Sequence, residues 1–65
     1  MIYVNGEEKN GYEGLTLEAF IQKENFEKAR IAAEINGQIV SKQAYEKTVL
    51  KPGDTVEIVS FVGGG

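Results

Sequence analysis

Residues 50–65 run LKPGDTVEIVSFVGGG, from Leu50 through Lys51-Pro52-Gly53-Asp54 to Gly65, a turn signal followed by an alternating apolar run and three glycines. Proline presets φ at one central turn position and glycine accepts positive φ at the next, so Lys51-Pro52-Gly53-Asp54 reads as a tight turn. A strand follows over 55–62. Its parity puts Val56 and Ile58 on one face and Glu57, Val59 and Phe61 on the other. Two packings satisfy this parity. In one, Val59 and Phe61 lie open, with Tyr3 and Ala32 beside them, as an apolar patch of the kind that marks docking sites on small domains. In the other they cover a second, minor core beneath 41–50. An open patch predicts that Phe61→Ala weakens partner binding far more than it weakens folding.

Gly63-Gly64-Gly65 contribute nothing to a packed core, because each loses more backbone entropy on ordering than any other residue and buries no side chain. They read as a flexible tail, residues 63–65, behind a folded body of residues 1–62. Three extended residues reach at most about 10 Å. Such a thread could carry its carboxylate into a crevice where any Cβ would collide. A frayed end without a role has the same composition.

Upstream, Ile31, Ala33 and Ile35 alternate with Ala32 and Glu34, and Asn36-Gly37 is a hairpin signal before Ile39 and Val40. The strand over 31–35 is expected inside the sheet. Ser41 caps a short turn over 42–46 with Ala44 and Tyr45 inward, and Val49-Leu50 closes that segment on the core. Further back, Leu17, Phe20 and Ile21 recur at helical spacing, with Thr16 as N-cap and Leu15 and Phe20 at staple positions. Glu18 suits the first turn. The pattern fades after Lys23, so 24–30 fits helix, turn or loop, with Phe26 as its anchor. At the start, Ile2 and Val4 alternate with Tyr3, and Asn5-Gly6 predicts a hairpin returning over 7–12 as a polar edge. Glu7 and Glu8 then point to opposite faces and cannot act as a paired acid and base. Hairpin, helix, strand, short turn and strand in that order give an α+β β-grasp arrangement: a mixed four- to five-stranded sheet on one main helix, with the first and last strands as central parallel neighbours.

Composition narrows the function. One 65-residue domain buries only about 60% of its unfolded surface, leaving little room for an internal active site. Cysteine and histidine are absent, which removes thiolate nucleophiles, the usual zinc sites and the side chain that titrates near neutrality. No catalytic residue and no metal ligand can be named. A net charge of −3 argues against nucleic acid. No apolar run is long enough for a signal peptide or a membrane span, so the cytoplasm is the expected compartment and a protein the expected partner.

Three stretches carry a resemblance: Ile35-Asn36-Gly37-Gln38-Ile39-Val40, the run from Leu50 to Val59, and Phe61-Val62-Gly63-Gly64-Gly65, together with the opening Val4-Asn5-Gly6-Glu7. They resemble the ThiS family, the sulfur carrier proteins of thiamine biosynthesis within the ubiquitin-like β-grasp superfamily. Ser60 stands where many members carry histidine, so no role of an imidazole is carried over. The resemblance implies that an E1-like adenylyltransferase, using its own ATP and magnesium, adenylates the Gly65 carboxylate. Sulfur from a persulfide donor system then displaces AMP and leaves a thiocarboxylate for thiazole synthase. Gly63 and Gly64 would thread both partners' channels, while Val59, Phe61 and Val62 would dock and guide. On that basis the chain is a protein co-substrate rather than an enzyme and binds no cofactor itself. The small subunit of molybdopterin synthase, a ubiquitin-like protein modifier and a pure interaction module remain as alternatives.

Overall fold

A computed structural model describes residues 1–61 and realises the β-grasp arrangement with five strands. In chain order the elements are β1 (Ile2–Val4), β2 (Glu7–Lys9), helix α1 (Leu17–Lys23), β3 (Ile31–Ile35), β4 (Gln38–Val40) and β5 (Thr55–Ser60). Short 3-10 turns occupy Lys28–Arg30 and Lys42–Lys47. The sheet order is β2-β1-β5-β3-β4. The last strand lies at the centre, parallel to β1 and antiparallel to β3.

Both hairpins close as their Asn-Gly pairs dictate: Asn5 and Asn36 sit at φ 49° and 53°, the left-handed geometry whose twist matches the flanking strands. Each asparagine also reaches β5. Asn5 Oδ1 accepts the Ile58 N–H at 2.9 Å and its Nδ2 donates to the Ile58 carbonyl at 3.3 Å. Asn36 Oδ1 accepts the Thr55 N–H at 3.0 Å, and its Nδ2 donates to Asp54 Oδ1 at 3.0 Å. The second Asp54 oxygen accepts the Lys51 N–H at 2.9 Å, closing the Pro52-Gly53 turn, where Gly53 adopts φ 86°. The buried carboxylate is thus satisfied on both oxygens.

Helix α1 begins where Thr16 Oγ1 accepts the Ala19 N–H at 3.1 Å, as the cap pattern predicts. Its end was not legible in the sequence. Glu24 terminates it and Asn25 turns left-handed at φ 62°. The Asn25 N–H then bonds the Gln22 carbonyl and the Phe26 N–H the Ile21 carbonyl, which is a Schellman closure with asparagine in the usual glycine place. Phe26 leans on Phe20, ring centroids 6.3 Å apart, so it is the expected anchor.

Leu17, Phe20 and Ile21 of the helix bury against Ile2, Val4, Ile31, Ala33, Val56 and Ile58 of the sheet, and Tyr45 and Leu50 close the core. Three expectations need correction. The return strand stops at Lys9 rather than near Tyr12, because the chain turns at Gly11 and Tyr12 packs edge-on against Phe20 at 5.0 Å. Strand β5 ends at Ser60, before Phe61, whereas the expected strand ran on through Phe61 to Val62, which lies outside the described residues. Val49 does not join the core: residues 48–50 pair with 14–17 through the Leu17 N–H to Thr48 O and Leu50 N–H to Leu15 O bonds, which turns Leu50 inward and Val49 out.

Candidate functional site

Strand alternation and ladder register build the site. Val56 and Ile58 of β5 are buried beneath the helix, so Thr55, Glu57 and Val59 project from the opposite face. One helix and one 3-10 turn cover only the first face. Val59 is 55% exposed and Phe61 53%, which resolves the parity question for the open patch and against a second core. Tyr3, opposite Thr55 on β1, shares this face at 38% exposure, and Ala32 lies directly opposite Val59.

The register adds two features that strand-by-strand reading passed over. Ile39 on edge strand β4 is 78% exposed and lies opposite Glu34, which in turn lies opposite Glu57. The Asn36-Gly37 turn already fixed Ile39's parity, since it pairs 35 with 38 and 34 with 39. The outer face is therefore an apolar field, Ile39, Ala32, Val59 and Phe61, with two adjacent carboxylates set into it.

Phe61, the last described residue, still belongs to the sheet's hydrogen-bond system: its N–H donates to the Arg30 carbonyl at 2.7 Å. Of the residues expected at the site, Val59 and Phe61 are brought together on one open face. Val62, Gly63, Gly64 and Gly65 lie outside the described residues. Among the described residues there is no cavity and no cluster of three side chains able to hold a metal ion. No described helix is long and apolar enough to cross a membrane.

The two perturbed tyrosines stand away from this face and serve packing. Tyr12 donates to the Glu24 carboxylate, and that hydrogen bond, helped by desolvation and the carboxylate's charge, raises its pKa above the ordinary tyrosine value. Burial raises that of Tyr45, partly offset by the Lys28 ammonium 5.3 Å from its ring centroid.

The likeness in fold extends to the sequence. The family model described as ThiS family matches residues 2–65. The chain belongs to the ThiS family. A solved ThiS structure, a thiamine biosynthesis protein from Geobacter metallireducens, superposes with a TM-score of 0.79 at 31% identity, covering 98% of this chain and 97% of that one. Among curated relatives, thiazole synthases of Paramagnetospirillum magneticum and Magnetococcus marinus are 38% and 39% identical over 64 residues, which is 98% of this chain. The match covers only 20% of either synthase, so this ThiS-family chain spans about a fifth of their length.

Proposed function

We propose that this chain is a sulfur carrier for thiazole formation in thiamine biosynthesis, acted on by partner enzymes in the cytoplasm rather than catalysing a reaction itself. The Gly65 carboxylate attacks the α-phosphorus of ATP on an E1-like adenylyltransferase, pyrophosphate leaves, and an acyl-adenylate forms. A carboxylate is a poor electrophile, whereas the mixed anhydride carries a good leaving group. The terminal sulfur of a cysteine persulfide displaces AMP, and cleavage of the sulfur–sulfur bond by a thiol leaves a thiocarboxylate, which thiazole synthase consumes. Val59 and Phe61 dock, Val62 guides, and Gly63 and Gly64 occupy channels too narrow for a Cβ. ATP and magnesium belong to the adenylyltransferase.

The observation that carries this reading is the match to the ThiS family through residue 65, on a chain whose central strand ends just before Phe61, beside an uncovered apolar face. The relatives described as thiazole synthases favour the thiamine branch over a molybdopterin-type carrier. Mass spectrometry of the C-terminal peptide, after incubation with the adenylyltransferase, ATP, magnesium and a persulfide donor, tests the chemistry. Exchange of one oxygen for sulfur is the expected result. An isopeptide adduct to lysine would instead make the chain a protein modifier, and an unchanged terminus would overturn the carrier role.

A further inference from the structure

Like charges directly opposite each other across antiparallel strands destabilise a sheet. Glu34 and Glu57 are such a pair, on the two strands that share the longest ladder of the fold. No salt bridge among the described residues reaches either carboxylate. The cations at the Phe61 end of the sheet are engaged elsewhere: Arg30 Nε lies 3.2 Å from Glu27, and Lys42 Nζ donates to the Ile31 carbonyl at 2.7 Å. The pair sits within the apolar field, with Ile39 on one side and the Ala32–Val59 row next along the strands. In the free protein water solvates both carboxylates and the repulsion is tolerable. A partner that covers the face strips that water, and two desolvated carboxylates without a countercharge strongly oppose association. A second copy of this chain, stacked on the same face, would bring carboxylates against carboxylates.

Resting on the docking role proposed above, we propose that the outer face receives a partner-enzyme surface that is apolar around one basic side chain, whose charged head lies between Glu34 and Glu57. An arginine suits this place best, since its planar fork of donors can engage two carboxylates at once while Ile39, Ala32 and Val59 meet the apolar surroundings. The pair then acts as a specificity device: it disfavours wholly apolar or acidic surfaces and is relieved only by the complementary one.

The test combines stability and binding in the full chain, using the purified E1-like adenylyltransferase and the purified thiazole synthase as probes. In the double variant Glu34→Gln/Glu57→Gln, removal of the repulsion leaves the thermal midpoint equal or higher. Calorimetric binding to at least one enzyme weakens by at least about tenfold, and its salt dependence flattens. Unchanged binding to both enzymes, or weakened binding matched by a lower thermal midpoint, overturns the proposal. Phe61→Ala separates the levels of failure. If it weakens binding where the double variant does not, the docking face stands without the carboxylate receptor. If neither change weakens binding, the docking face itself falls.

Discussion

Asn5 and Asn36 occupy the same place in two hairpins and perform the same second task. Each adopts the left-handed turn its glycine neighbour demands, and each extends a hydrogen-bonded arm to the backbone of β5 beyond the point where its own strand ends. The turns were legible from Asn-Gly alone, because that signal is local. The arms were not, since they depend on which strand becomes the neighbour, and Asn5 and Ile58 are 53 residues apart. Asn25 escaped notice for a related reason: the left-handed residue that closes a helix is usually glycine, and Phe26 rather than glycine follows it. Replacing Asn5 by alanine removes two hydrogen bonds, leaves the Ile58 N–H without its acceptor and forces a Cβ residue into left-handed geometry. Urea denaturation of Asn5→Ala is expected to show a loss of about 2 kcal/mol at unchanged m-value, whereas Glu7→Ala, two residues on and exposed, should stay within about 0.5 kcal/mol.

Among the elements, α1 shows how a short helix is held at both ends. Seven residues are too few to persist alone, so the Thr16 cap, the Schellman closure and the apolar face all count. Thr16→Ala should lower stability by about 1 kcal/mol in denaturant titration, and Thr16→Ser should restore most of it. The tyrosine beyond β2 ties that edge to the helix C-terminus through Glu24, where Lys9 also approaches at 3.6 Å. Because the folded-state pKa of Tyr12 is raised, its contribution is fully present below the unfolded value, about 10, and is lost as pH rises through the higher folded value. Subtracting the stability of Tyr12→Phe from that of the parent chain across pH 8–12 should therefore give a difference that is flat at first and declines only above about 10. Element identity and order were legible here, whereas ends were not. The fade of periodicity after Lys23 left 24–30 open between helix, turn and loop, and nothing local told that Tyr12 would leave the sheet for Phe20.

At the scale of the whole molecule, the sheet has one face that carries the fold and one left for others. Tyr45 is the largest fully buried side chain, and in a 65-residue domain with a net stability of a few kcal/mol its removal is severe. Tyr45→Ala, costing about 3–5 kcal/mol, should leave much of the population unfolded at 25 °C by near-ultraviolet circular dichroism. Phe61→Ala should do the reverse: stability changes by less than about 1 kcal/mol in urea, while binding to the adenylyltransferase or thiazole synthase falls by about 2 kcal/mol in calorimetry. The alternation in β5 told which residues share a face but not which face is covered, because coverage depends on how much helix the chain has to spend on the sheet. The same strand that precedes Gly63-Gly64-Gly65 in the sequence is also the most enclosed one, with β1 parallel on one flank, β3 antiparallel on the other, and an asparagine arm on each side. An enzyme that drew on the terminus, as the proposed carrier role requires, would therefore load both neighbouring ladders in shear at once, as a rope pulled along the grain of its splice, and no edge hairpin would be peeled away while the end was held taut.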